Sequence, residues 1–216
     1  MKYQTILFDL DGTLTNPAEG ITTAVAYALD FFGNEYSSKK QLETFIGPPL
    51  REQFMEYCNV DKEKGEEYVK KYREYYSVKG IYQNEVYDGI DTMLDTLKNN
   101  GKKIVLATSK PEQFARIILD HFQLSKYFDF VAGALMSNTR TNKAEVIKYA
   151  LESIGNPDAD TVLMVGDRLH DVEGALAFGI KTVGVTFGFG SREELIDAGA
   201  FKIADTVKEL TEILLN

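Results

Sequence analysis

The chain alternates between two kinds of hydrophobic pattern. Near the start, Ile6-Leu7-Phe8 is an unbroken apolar run, the pattern of a strand buried on both faces of a parallel sheet. From Asn16 to Gln83 the period is helical. Ile21, Ala24, Val25, Ala28, Leu29 and Phe32 recur on one helix face, which Gly33 stops, and Asn16-Pro17 predicts its start, with Asn as N-cap and Pro at the first helical position. Leu42–Phe45 predicts a short helix broken by Gly47-Pro48-Pro49, and Leu50–Cys58 and Lys62–Tyr76 predict two more. This stretch shows no strand pattern.

From Tyr87 onward helices and strands alternate. Helices are predicted at Ile90–Asn100, Pro111–Phe122, Asn142–Ile154, Asp171–Phe178, Arg192–Ala198 and Val207–Leu215. Strands fall at Lys102–Ala107, Phe128–Val131, Thr161–Val165, Thr182–Val185 and Phe201–Ala204. Short connections between them imply an α/β fold, a doubly wound parallel sheet with right-handed crossovers. Residues 1–15 and 84–216 are expected to form this core, and 16–83 a separate α-helical domain inserted after the first strand.

Composition narrows the function classes. The 216 residues suffice for a real core, and 44% hydrophobic with 26% charged residues is an ordinary globular balance. A net charge of −9 argues against nucleic-acid or anionic-membrane partners, so an anionic substrate must be held by local cations and backbone N–H groups. Cys58 is the only cysteine, which rules out an internal disulfide and suits a reducing cytoplasm. Next to Tyr57 in the helical stretch, it reads as a small core residue rather than a nucleophile. Met-Lys-Tyr-Gln running into a strand leaves no room for a signal peptide, and no apolar run approaches the roughly 18 residues of a membrane span.

Candidate chemistry collects where the strands should end. Asp9 and Asp11, two apart on an extended chain, point the same way before Gly12 turns the backbone. Two neighbouring carboxylates need a cation or a shared proton. Thr108 and Ser109 follow the Ile104–Ala107 run and precede a helix, where hydroxyls and free N–H groups suit a phosphate. Lys143 opens a helix, and Asp167 and Asp171, four apart, follow the Val162–Val165 run and would share a face if that turn is helical. Each has a plainer reading alone: turn and cap residues for Asp9, Asp11, Thr108 and Ser109, a solvated lysine, helix-start acids. Capping does not explain four acids, two hydroxyls and a lysine after three strands of one sheet. Gly188-Phe189-Gly190 resembles a dinucleotide-binding start, but Glu193 occupies the place of the third glycine and the segment follows a late strand, so that reading is rejected. His121 reads as a helix-face residue, while His170 lies inside the acidic cluster, with a solvent-facing side chain as the equal alternative.

Asp9-Leu10-Asp11-Gly12-Thr13, Thr108, Lys143 and Gly166-Asp167-x-x-x-Asp171 resemble, in order, the four motifs of the haloacid dehalogenase superfamily of phosphohydrolases. The helical insertion is similar to the cap of the phosphoglycolate phosphatase-like subfamily. Phe45-Ile46-Gly47-Pro48-Pro49-Leu50, Gly166–Asp171 and Phe187–Leu195 resemble its 5′-nucleotidase-like members. At 137–143 the chain departs from the pattern, which has Asp-Gly before the arginine.

The resemblance implies a phosphatase acting on a small phosphate ester in the cytoplasm. Asp9 would be the nucleophile and Asp11 the general acid and base. Mg²⁺ would be held by Asp9, the Asp11 backbone carbonyl and Asp167, with Asp171 in support. Lys143 would neutralise charge, and Thr108 and Ser109 would bind the phosphoryl group. Asp11 itself favours transfer to oxygen, because a dehalogenase needs no proton donor there. A sugar-phosphate mutase and a non-catalytic phosphate-binding module remain alternatives. The cap would set specificity, with Arg51 as the first candidate to meet the substrate, a solvated helix-start arginine as its alternative, and Asn16 and Glu19 as weaker ones. Monomer and dimer stay open, as does the choice among nucleotide, phosphoglycolate and sugar phosphate.

Overall fold

The computed structural model describes residues 3–136 and 140–216. The chain divides into two compact units, Met1–Asn16 with Val86–Asn216, and Pro17–Glu85. Among the described residues, no helix is long and apolar enough to cross a membrane.

β1 (Thr5–Phe8) opens the first unit and β2 (Thr15–Asn16) leads out of it. The second unit is built of α1 (Ala18–Phe32), a 3₁₀ turn at Lys39–Phe45, α2 (Leu50–Cys58) and α3 (Lys62–Tyr76). Asn16 is not the N-cap of α1: it lies in β2, Pro17 takes the cap position, and no side chain caps the helix. The unit's interior is aromatic, with Phe54 packed 4.9 Å from Phe45 and 5.2 Å from Tyr68, ring to ring. Cys58 is half-buried, and burial pushes its thiol pKa up. Gly20 is required where α1 meets the turn at Gly80–Tyr82, since a Cβ there would lie 2.0 Å from the Gly80 carbonyl oxygen.

β3 (Glu85–Val86) brings the chain back. There follow α4 (Ile90–Asn99), β4 (Lys103–Pro111), α5 (Glu112–His121), β5 (Phe130–Ala134), α6 (Lys143–Ser153), β6 (Val162–Gly166), α7 (Leu169–Leu176), β7 (Lys181–Val185), α8 (Arg192–Asp197), β8 (Lys202–Ala204) and α9 (Val207–Leu215). Six of the strands form one parallel sheet in the order β5-β4-β1-β6-β7-β8, the expected α/β doubly wound architecture. β5 begins two residues later than the hydrophobic run suggests.

β1 is fully buried, flanked by β4 and β6, with Phe8 in register with Leu106 and Val165. One sheet face is filled by Leu7, Val105, Ala107 and Met164 against Val146, Ile147 and Ala150 of α6 and Ala175 of α7. Burying such side chains is worth roughly 1.5–3 kcal/mol each. This packing sets the carboxyl ends of β4, β1 and β6 side by side, the edge where open α/β sheets bind ligands.

Candidate active site

Two strand ends and one helix start supply the site. Beyond β1, Asp9 N–H donates to the Val165 carbonyl at 3.0 Å, prolonging the ladder by one residue. Gly12 then turns the chain at φ +84°, and the N–H groups of Thr13, Leu14 and Thr15 all donate to the Leu10 carbonyl. Beyond β6, Gly166 and Asp167 lead into α7, which holds Asp171 in its first turn. Lys143 is the first residue of α6, whose N-terminus is closed by a reciprocal pair between Asn142 and Glu145.

Carboxylate oxygens of Asp9, Asp167 and Asp171 lie within 4.8 Å of one another, and all three residues are buried. Lys143 joins them: its ammonium is 2.7 Å from Asp9 Oδ1 and 2.7 Å from Asp171 Oδ1, and it donates to the Ala107 carbonyl at 3.0 Å. Burial works against the Lys143 charge, but Asp171 and Asp9 together outweigh it and raise its pKa. Burial, then the charges of Asp171 and Asp9, lift the Asp167 carboxyl well above the ordinary range. Asp171 is pushed up to about 6 by burial and by Asp9, against the opposing pull of Lys143. A set of three buried carboxylates with one ammonium is short of positive charge. Its all-oxygen donors fit a hard divalent cation.

Glycines make room for this cluster. A Cβ on Gly12 would lie 2.1 Å from Asp167 Oδ2, and one on Gly166 2.2 Å from Asp171 Cγ. One on Gly188 would lie 2.3 Å from the Gly12 carbonyl oxygen, and one on Gly190 1.9 Å from that of Asp167. Between the last two, Phe189 N–H donates to Asp167 Oδ2 at 2.9 Å, while Thr13 Oγ1 donates to Asp167 Oδ1 at 3.3 Å. The Gly188-Phe189-Gly190 segment therefore wraps the base of Asp167. Its glycines report close packing.

Asp11 stands apart. Its carboxylate is not among the three clustered acids; Oδ2 pairs with Lys110 Nζ at 2.6 Å and Oδ1 is buried with no hydrogen-bond partner among the described residues. Burial raises the Asp11 pKa, and Lys110 offsets this only in part.

Thr108 and Ser109 lie inside β4, which runs on to Pro111 with a register shift after Thr108, and not at a helix start as the sequence suggested. Pro111 takes the cap position of α5. Thr108 is buried, and its hydroxyl accepts from Lys110 N–H at 3.2 Å. Asp167 precedes α7 instead of sharing a helix face with Asp171.

Arg51, in the helical unit, pairs with Glu52 at 2.5 Å and Glu66 at 2.9 Å, so two carboxylates already occupy its guanidinium. Glu19 accepts from Gln83 at 3.2 Å. His170 is half-buried, and burial and then Arg168 lower its pKa. The departure at 137–143 falls partly outside the described residues, since 137–139 are not among them.

Some contributors escaped the sequence reading. Lys110, beside Thr108 and Ser109, carries no local signal of its own. Glu194 accepts from Leu169 N–H at 2.8 Å and pairs with Arg168 at 2.9 Å, so it caps α7 from α8 and steadies the turn that carries Asp167. Tyr87 stacks edge-on to Phe187 with ring centres 5.2 Å apart, and burial, Asp167 and Asp11 raise its pKa.

The family model described as haloacid dehalogenase-like hydrolase matches residues 6–185. The chain is 45% identical over 195 residues to a protein named 5′-nucleotidase from Pseudomonas aeruginosa, covering 90% of this chain and 88% of that one. It is 38% identical over 214 residues to the tyrosine-protein kinase PtkA of Mycobacterium tuberculosis, covering 98% and 72%. The crystal structure of a predicted phosphatase from Clostridium acetobutylicum matches it with a TM-score of 0.96 at 46% identity, covering 100% of this chain and 99% of that one.

Proposed function

Because the chain belongs to the haloacid dehalogenase-like hydrolase family, we propose that it is a Mg²⁺-dependent phosphatase that cleaves a small phosphomonoester through an aspartyl-phosphate on Asp9. The carrying observation is the buried set in which Lys143 joins Asp9 to Asp171, with Asp167 alongside and Asp11 two residues on.

An oxygen of Asp9 bonds to phosphorus as the ester P–O bond breaks; the electron pair leaves on the alcohol oxygen, which takes a proton from Asp11. Water then bonds to phosphorus, gives its proton to Asp11, and the Asp9 carboxylate is released. Lys143, paired with Asp9 at 2.7 Å, opposes the charge that gathers as phosphate and carboxylate meet. Thr108 and the Ser109 N–H hold phosphoryl oxygens. Asp9, Asp167, Asp171 and the Asp11 backbone carbonyl would hold Mg²⁺, which when bound supplies charge neutralisation and orients the phosphoryl group.

The relative named 5′-nucleotidase makes nucleoside 5′-monophosphates the first substrates to try, ahead of phosphoglycolate and sugar phosphates. The relative named a kinase keeps transfer to a hydroxyl acceptor as the second reading, and the mutase alternative makes the same demand. Free phosphate release from a panel of these esters separates the two outcomes. Hydrolysis is expected with Mg²⁺, none with EDTA, and a loss of at least about a thousandfold in Asp9→Asn. Undiminished hydrolysis by that variant would overturn the assignment.

A further inference from the structure

Lys110 has no part in the chemistry above, yet it is among the most buried lysines of the core. Its side chain is 5% exposed, and its ammonium lies 2.6 Å from Asp11 Oδ2, across 99 positions of sequence. Two features of β4 aim it there. The register shift between Thr108 and Pro111 lifts the strand out of regular pairing, and Lys110 N–H folds back to the Thr108 hydroxyl at 3.2 Å. The strand end that carries Thr108 therefore also carries the cation facing Asp11. The other oxygen of that carboxyl group, Oδ1, is buried and accepts no hydrogen bond among the described residues.

We propose that Lys110 is the positioning residue of Asp11: it holds Oδ2, fixes the plane of the carboxyl group and reserves Oδ1 for the proton that passes to the leaving alcohol. This rests on the reading of Asp11 as general acid and base. When the ester bond breaks, its electron pair goes to the alcohol oxygen and the Asp11 Oδ1 proton goes with it; the carboxylate left behind faces the Lys110 ammonium. When water attacks the aspartyl-phosphate, its proton returns to Oδ1. Lys110 exchanges no proton and touches no reacting atom. A flexible carboxyl group would reach the leaving oxygen in only some of its orientations, and orientation is a large part of what positioned groups contribute.

Leaving-group dependence tests this directly. An alkyl ester, such as a nucleoside 5′-monophosphate, needs the proton; p-nitrophenyl phosphate releases a stable phenolate and does not. Lys110→Met should lower kcat/KM about 10- to 100-fold on the alkyl ester and less than about threefold on p-nitrophenyl phosphate, with Lys110→Arg recovering most of the loss. Asp11→Asn, run beside it, should show the same split at about 10²–10⁴-fold. An equal loss on both esters in Lys110→Met, with the split intact in Asp11→Asn, would mark Lys110 as a substrate anchor or a structural residue and overturn the proposal alone. Absence of the split in Asp11→Asn would overturn the role given to Asp11 itself. Should Lys110→Met lack a cooperative thermal transition, Lys110→Gln carries the same comparison.

Discussion

Lys143 and Lys71 make ion pairs of nearly the same length, 2.7 Å to Asp9 and Asp171 in the core unit and 2.8 Å to Glu74 in the helical unit, but in different surroundings. The Lys143 partners are 10% and 1% exposed; Glu74 is 56% exposed. Around Lys143 no water shell can neutralise the acids, so each charge must be answered by another fixed charge or by an ion. On the helical unit, water answers most of the charge. Lys71 lies over the Phe31 ring at 3.9 Å, and Lys64 pairs with Glu67 in the same exposed manner. Proximity of opposite charges therefore says little by itself. Burial turns the same contact into a constraint that can do chemistry.

Replacing the two lysines is the sharpest way to break this contrast. Lys143→Met should lower kcat about 10²- to 10³-fold and cost roughly 3–5 kcal/mol in urea unfolding, because it leaves buried acids unanswered. Lys71→Met should leave kcat and the urea midpoint unchanged within error. Equal effects would end the comparison.

Glycines extend it. Gly190→Ala should cost about tenfold or more in kcat, since the new Cβ would meet the Asp167 carbonyl oxygen at 1.9 Å and displace the Asp167 loop. Gly33→Ala, at φ +75° with nothing within 4 Å, should cost only about 1 kcal/mol of backbone strain and no activity.

Next comes pH. Asp167 and Asp171 have folded-state pKa values above the ordinary 3.8, with Asp171 at about 6. The metal-free native state thus holds protons that the unfolded chain has released, and its stability should fall as pH rises from about 4 through 6. Saturating Mg²⁺ should remove that decline, read by thermal melts across the range. The smallest effect belongs to Arg51→Ala. With its guanidinium already held by Glu52 and Glu66, KM should rise no more than about threefold.

What the sequence disclosed follows the range of the interactions. The bounds of α2, α3 and α9 were legible to the residue because local period and stop signals define them. Asn16-Pro17 misled because a cap signal competed with a two-residue strand. Thr108-Ser109 misled because β4 continues through a register shift that no local pattern records. Asp9, Lys143, Asp167 and Asp171 could be named in advance because each follows a strand or opens a helix of one sheet. Lys110 and Glu194 could not, since their partners lie 99 and 25 residues away. Gly188 and Gly190 were visible as glycines, but only the packing against Asp167 explains them.

A crystal grown with Mn²⁺ in place of Mg²⁺ tests the central claim most directly, since an anomalous difference map locates the ion without reference to activity. A single peak bounded by the carboxylates of Asp9, Asp167 and Asp171, lost in Asp167→Asn, is the expected result. A peak elsewhere on the chain, or one that survives that substitution unchanged, would contradict the account.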